Sequence, residues 1–150
     1  MSKYNYKIVS LYVDKNNVLY VIPNGLILKN NMDAEIDILN ILEPPYSDSA
    51  IEGLVLEAFN QCYTKIKEDF NTIGPLEKHF GVKSWTTATR NLKYMLVEWE
   101  KDEGYSVNPF KKVKGGSYDC INKIKVLGHN LKEGELAVAI KQAIEESTTF

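Results

Sequence analysis

The chain has 150 residues, of which 44% are hydrophobic and 25% charged, and its formal net charge is −2. These values are typical of one globular domain and argue against a disordered chain or a strongly basic nucleic-acid-binding protein. No apolar run is long enough for a transmembrane helix, and residues 1–20 lack the pattern of a signal peptide. The length fits a single domain, residues 1–150. Because the only cysteines are the isolated Cys62 and Cys120, we expect this domain in the reducing cytoplasm.

The first half of the chain predicts strands followed by a long helix. Strands are expected over residues 5–13, 18–22 and 35–42, where apolar or β-branched side chains recur at strand spacing. Pro23-Asn24-Gly25 should end the second strand. Ser49 and Glu52 have the spacing of a capping box, and apolar positions from Ile51 to Phe70 repeat at helical spacing.

The second half repeats this order after two short helices. The short helices are expected at 75–80, with proline at the start and Gly81 at the end, and within 84–90. Strands should begin at Leu92 and continue through 105–109 and 118–127. A final amphipathic helix follows, with Asn130 and Glu133 as its expected caps.

The two halves can be aligned in sequence by shifts of 86 and 85 residues. A shift of 86 carries residues 11–13 onto 97–99 and Pro23 onto Pro109, and a shift of 85 carries Ile51 onto Leu136. The halves span approximately residues 5–72 and 92–148. A β-β-β-α unit of this size does not bury its helix alone. We therefore predict an α+β fold in which both halves pool their strands into one mostly antiparallel sheet, packed by two amphipathic helices and joined by short linking helices.

Residues with catalytic chemistry are sparse. The two histidines, His79 and His129, have no serine, cysteine or carboxylate at a recognisable catalytic spacing. No zinc-binding or phosphate-binding motif is present. The sequence therefore predicts no catalytic residue, no cofactor and no metal site, and a small hydrolase or transferase using His79 or His129 is the enzymatic alternative.

Charge is distributed unevenly along the chain. Residues 1–75 carry 6 basic and 10 acidic side chains, and residues 30–64 carry no lysine or arginine. Such a stretch is suited to a basic partner, although acids on the solvated sides of a strand and a helix are the alternative. Asp33, Glu35 and Asp37 would share one face if the region is extended. The candidate partner-binding residues are Asp33, Glu35, Asp37, Glu43, Tyr46, Asp48 and Glu52.

Several short motifs resemble a family of bacterial immunity proteins from contact-dependent growth inhibition (CDI) systems, the CdiI proteins. They are a Lys-Ser-aromatic element in residues 81–85, a strand ending at 97–99, a Gly-Tyr-x-Val-x-Pro strand at 104–109, and a helix start at 135–140. Residues 11–13 and 20–23 fit the first half of the pattern. Ala137 stands where the family pattern has glycine.

The resemblance implies a cytoplasmic, non-enzymatic protein that neutralises the C-terminal toxin domain of a CDI effector, in a complex expected to be 1:1. Toxins of such systems are often nucleases, tRNA-cleaving ones included. A nuclease needs a cationic surface to hold phosphate, and an inhibitor can cover that surface with carboxylates. No direct contact with nucleic acid or membrane is implied. An adaptor protein without a toxin partner is the other alternative.

Overall fold

Eight strands among the described residues form one antiparallel sheet. The structure is a computed structural model that describes residues 5–27, 32–67 and 72–149. Its strands are β1 (Tyr6–Val13), β2 (Leu19–Leu26), β3 (Asp33–Glu35), β4 (Asn40–Leu42), β5 (Lys93–Glu100), β6 (Gly104–Lys112), β7 (Tyr118–Cys120) and β8 (Lys125–Gly128). Its helices are α1 (Asp48–Gln61), α2 (Pro75–Phe80), α3 (Trp85–Ala88) and α4 (Glu135–Glu146). The strand order is β3-β2-β1-β5-β6-β7, with β4 beside β2 and β8 beside β6. The predicted α+β class with an antiparallel sheet is confirmed.

The 86-residue shift also relates the strand pairing of the two halves. Val9 pairs with Pro23 in the first hairpin, and their equivalents Met95 and Pro109 pair in the second. At the centre of the sheet, Ser10 of β1 pairs with Leu96 of β5, the residue onto which the 86-residue shift carries Ser10 itself. A pseudo-two-fold axis therefore passes through this pair, and the sheet continues without interruption from one half to the other.

Each half contributes four strands, not the three that the sequence suggests. The expected strand over 35–42 is divided into β3 and β4, which pair with opposite ends of β2. In the second half, β7 and β8 pair in the same way with β6. β2 also continues through Pro23-Asn24-Gly25 to Leu26, because these residues pair with β1 or β3 instead of turning.

Helices α1 and α4 cover one face of the sheet. Side chains two residues apart on a strand share a face, so β1 presents Val9, Leu11 and Val13 to these helices. The helical side of this core consists of Ile51, Val55, Ala58 and Phe59 from α1 and Leu136, Ala137, Ala139, Ile140 and Ala143 from α4. On the opposite face, α2 and α3 cover a smaller cluster that includes Tyr12, Ile22 and Leu76.

The ends of the two long helices differ from their sequence prediction. Ser47, not Ser49, caps α1, and its Oγ accepts a hydrogen bond from Ala50 N at 3.1 Å. The helix ends at Gln61 because Cys62 has extended backbone angles; Ile66 is exposed, and Phe70 lies outside the described residues. α4 follows Gly134, whose φ is +81°. The predicted short helix at 75–80, ended by Gly81 in a left-handed conformation, is confirmed.

Within the described residues, no helix combines the length and apolar composition needed to cross a bilayer.

Candidate functional site

A cavity of about 420 Å³ opens on the sheet face that carries α2 and α3. Among the described residues, its walls combine three aromatic side chains, three carboxylates and one lysine with small polar groups. The aromatic and charged members are Tyr12, Trp85, Tyr94, Asp33, Glu35, Glu77 and Lys67. Cavities of this volume are in the range that binds small molecules or single side chains.

Strand alternation brings the polar wall of the cavity together. Glu35 pairs with Asn24 across β2 and β3, and Asp33 pairs with Leu26. Asp33 and Glu35 are two residues apart, so both side chains lie on the same face of the sheet. Asn24 donates a hydrogen bond from Nδ2 to Ser10 Oγ at 3.0 Å. The cavity therefore lies beside the pseudo-two-fold axis.

Glu35 is the most strongly connected carboxylate of the cavity. Tyr12 donates its hydroxyl hydrogen bond to Glu35 Oε2 at 2.5 Å, and Trp85 donates from Nε1 to the Tyr12 hydroxyl at 3.2 Å. Burial raises the pKa of the Glu35 carboxyl, and hydrogen bonds from Tyr12 and Ser10 oppose that shift. Burial and the neighbouring Glu35 carboxylate raise the pKa of Tyr12 well above its usual range. Ionised Glu35 therefore lacks part of the solvation it would have in water.

The other two carboxylates also have polar neighbours, and burial together with the nearby Asp33 carboxylate raises the pKa of Tyr63 to about 12. Oδ1 of Asp33 is buried and has no hydrogen-bond partner among the described residues. Glu77, which is 9% exposed, accepts a hydrogen bond from Gly74 N at 3.0 Å through Oε2. Buried acceptors are normally satisfied, so Asp33 Oδ1 is an exception among the described residues.

The aromatic wall is part of a larger cluster of tyrosines. The Tyr94 ring lies 5.0 Å from Tyr12 and 4.9 Å from Tyr118, measured between centroids. The Lys112 ammonium lies 4.4 Å from the centroid of Tyr118 and donates to Thr89 O at 2.7 Å. Burial lowers the pKa of Lys112. One ring of this cluster thus already has a cation against its face.

A second cavity, of about 280 Å³, adjoins the first. The two share Glu35, Lys67 and Gly74 in their walls, and the second adds the exposed Asp37. Asp37 pairs with Lys78 Nζ at 2.7 Å. A polar path therefore leads from the sheet face to the surface beside β3.

The structure separates the predicted partner-binding residues into distinct environments. Asp33 and Glu35 line the cavity, whereas Asp37 follows the end of β3 in a bend, so the three carboxylates do not form one extended row as expected. Glu43 is exposed. The Tyr46 hydroxyl donates to Asn17 O at 3.0 Å, and Asp48 pairs with Lys141 of α4.

Glu52 has a structural contact that the sequence did not indicate. Its Oε1 accepts from Gly134 N at 3.3 Å, and its Oε2 accepts from Ala137 N at 3.0 Å. It therefore occupies the N-terminus of α4 in place of the expected caps Asn130 and Glu133.

Sequence reasoning missed Tyr12, Glu77, Trp85 and Tyr94 as members of the site. Tyr12 and Tyr94 occupy positions that strand alternation assigns to the α2 and α3 face, and this was the available signal. Trp85 and Glu77 belong to the short linking helices, whose position over the sheet depends on tertiary packing.

Neither histidine lines this cavity. The His79 ring lies 5.7 Å from that of Tyr20, and Nε2 of His129 lies 2.6 Å from Lys101 O. Among the described ranges, no cluster of three histidine, cysteine or acidic side chains has a geometry suited to a metal ion.

Comparisons with known proteins give a likeness in fold. No protein-family model matches the chain, and no curated protein matches it. A solved structure from Neisseria meningitidis, described as the protein of unknown function NMB0488, is similar with a TM-score of 0.68. It is 11% identical to this chain, and the match covers 97% of this chain and 98% of that one. At this identity the likeness shows that the two chains share a fold.

Proposed function

We propose that this protein is an immunity protein that binds and neutralises the C-terminal toxin domain of a CDI effector. The supporting observation is the aromatic-walled cavity, in which three carboxylates and one lysine are present among the described lining residues. A basic toxin surface, such as the phosphate-binding surface of a nuclease, is the complementary partner. The sequence motifs supply the family resemblance, and tRNA-cleaving nucleases are among the candidate toxins. The proposed site of action is the cytoplasm.

Two exposed carboxylates near the cavity are the proposed guides for such a partner, and one of them, Asp37, is already paired with Lys78. Asp37 and Glu43 are exposed and flank β4 at the same margin of the sheet as the cavity. Charges of this kind act on the rate of association more than on final affinity. In contrast, Glu52 supports α4 and is expected to act on folding.

The decisive experiment mixes the purified chain with the toxin domain encoded immediately upstream. We expect a 1:1 complex by light scattering after size-exclusion chromatography, and loss of toxin activity at equimolar ratio. A toxin domain that remains free and fully active overturns the proposal and favours an adaptor with another partner.

Charge reversal then tests where the toxin approaches. The double variant Asp37→Lys and Glu43→Lys should slow association by up to about tenfold at low salt and flatten its salt dependence. The double variant Glu103→Lys and Glu145→Lys is the matched control, because it changes the net charge equally and both residues are exposed, in the turn between β5 and β6 and on α4. Equal effects of the two reversals would contradict approach beside β3 and β4.

A further inference from the structure

We infer that the outer edge of β8 is a docking surface for β8 of a second copy of this chain, so that two chains form a symmetric dimer with one continuous sheet. The dimer goes beyond the proposed function and does not depend on it. Three features of this edge support it: a strand edge without a partner, exposed apolar side chains along that edge, and charges of both signs beside it.

The outer edge of β8 has no strand against it in the part of the chain that the structure describes. β8 pairs with β6 on its inner side. An edge strand presents backbone N–H and C=O groups that can pair with a strand of another chain. Ile124, directly before β8, is 52% exposed, and Val126 within β8 is 64% exposed. Apolar side chains on an open edge favour such pairing.

The internal repeat identifies the equivalent of Val126 at the opposite edge of the sheet. Tyr20 of β2 pairs with Ile41 of β4. Ser106, which lies 86 residues after Tyr20, pairs with Val126. Ile41 is exposed as well. The two margins of the sheet therefore present an apolar side chain at the same structural position.

The two margins differ in the residues that follow these strands. β4 is followed by the exposed Glu43 and then by Pro44 and Pro45. Charges and prolines are the usual protection of an edge strand, because proline has no N–H to donate to a new neighbour. Residues 121–130 around β8 contain no proline. The repeat thus has one protected edge and one edge that remains open to another strand.

The charges beside β8 indicate which partner fits. A groove of about 560 Å³ runs between β8 and the start of α4. Its described charged residues, apart from Asp48, which pairs with Lys141, are Lys125, Lys132, Glu133 and Glu135. None of these four forms an ion pair with another described residue. Two cations and two anions complement a second copy of the same groove better than they complement a strongly basic partner.

Antiparallel pairing about a two-fold axis at Val126 uses these features together. The same surface then serves both chains, as in most homodimers, and Val126 lies directly opposite Val126 of the second copy. Lys125 lies opposite Leu127 of the second copy, which lines the groove there. A lysine normally discourages pairing at an edge. Here the groove of the second copy supplies anions for it, Glu133 and Glu135.

The dimer leaves the proposed toxin surface free. β3 and β4 pair with β2, at the margin of the sheet opposite β8. Each chain of the dimer can therefore bind one toxin domain, and the ratio of the two proteins stays equimolar. A dimer without a toxin complex leaves this inference and removes the proposed function, and a toxin-binding monomer does the reverse.

The oligomeric state of the full-length protein tests the inference directly. We would measure its average mass by sedimentation velocity at concentrations from about 5 μM to about 500 μM, a range that detects micromolar affinity. The mass should rise with concentration from that of one chain to that of two. A mass of one chain at every concentration overturns the inference.

Val126→Lys tests whether the β8 edge carries the dimer. This variant should weaken the dimer at least about tenfold, a difference of about 1.4 kcal/mol, because it places two ammonium groups opposite each other. Ile41→Lys, at the equivalent position of β4, is the matched control and should not change the dimer. No effect of Val126→Lys, or equal effects of the two variants, overturns the inference.

A cross-link tests the two-fold axis without weakening the dimer. Directly opposed residues of antiparallel strands have Cα atoms about 4.5–5.5 Å apart, which is within the reach of a disulfide. Val126→Cys in a Cys120→Ser background should form a covalent dimer when oxidised with copper–phenanthroline, and Ile41→Cys in the same background should stay monomeric. No cross-link at Val126, or equal cross-linking at both positions, overturns the inference.

Discussion

The Tyr12 hydroxyl donates a hydrogen bond to Oε2 of Glu35 at 2.5 Å, joining β1 to β3 across β2. Burial raises the pKa of this carboxyl, and Glu77 raises it further while Lys67 acts in the opposite direction. A raised pKa means that the folded state binds the proton more tightly than the unfolded state. The Glu35 contribution to stability is therefore full below its ordinary pKa and is lost as the pH rises through the raised value.

Glu35→Gln should remove this pH dependence. Glutamine retains an acceptor for Tyr12 but has no charge to desolvate. The free energy of unfolding of the variant, relative to the unmodified protein, should rise from about pH 4.5, the ordinary glutamate value, and level off above the raised pKa. Urea denaturation at a series of pH values measures it, with Glu57→Gln as control. A difference that stays constant with pH would contradict the burial of an ionisable Glu35.

The repeat predicts equal roles for equivalent core residues. Ile51 of α1 and Leu136 of α4 are related by the 85-residue shift, and both are 0% exposed. Ile51→Ala and Leu136→Ala should each lower the free energy of unfolding by about 2–5 kcal/mol. Val138→Ala, at a position 59% exposed on α4, should change it by no more than about 0.5 kcal/mol. If only one of these two alanine variants had a lower free energy of unfolding, the two halves would not contribute equally to the core.

The features that sequence predicted are those set by local periodicity. The 86-residue shift relates Leu11–Val21 to Val97–Val107 in the strand pairing, because register follows the alternation of buried side chains. The α2 boundaries follow from Pro75 and Gly81, whose backbone preferences are local. Strand alternation likewise places Asp33 and Glu35 on one face.

The features that sequence reasoning missed depend on contacts between residues far apart in the sequence. Trp85 reaches Tyr12 across 73 residues of sequence, and no periodic pattern indicates which short helix covers which part of a sheet. The start of α4 was also mispredicted. Local cap residues precede it at 130 and 133, yet the carboxylate at its N-terminus is supplied from α1, 85 residues before Ala137.

This contact makes Glu52 a structural residue. Its carboxylate accepts from Gly134 N and Ala137 N, at the positive end of the α4 dipole. Glu52→Ala should lower the free energy of unfolding by about 1–3 kcal/mol, because two part-buried backbone donors lose a charged acceptor. Glu52→Gln, which retains one acceptor, should cost less. Thermal unfolding monitored by circular dichroism measures both, and a stable Glu52→Ala protein with weakened toxin binding would instead assign Glu52 to the interface.

Gly104 allows a close backbone approach in the second half. It begins β6 with φ +81°, and a Cβ built there would lie 2.3 Å from the carbonyl carbon of Gly128 in β8. Both the left-handed backbone and the contact exclude a side chain, because the obstacle is backbone that cannot rotate away. Gly104→Ala should therefore lower the free energy of unfolding by more than about 2 kcal/mol.

Gly53 is the matched control for this substitution. It lies in α1, and a Cβ there meets nothing within 4 Å. Gly53→Ala should raise the free energy of unfolding by about 0.5–1 kcal/mol, because alanine loses less backbone entropy in a helix. Chemical denaturation of the two variants side by side checks the pair. If Gly104→Ala were as stable as Gly53→Ala, the β6–β8 pairing would have to be more open than the structure describes.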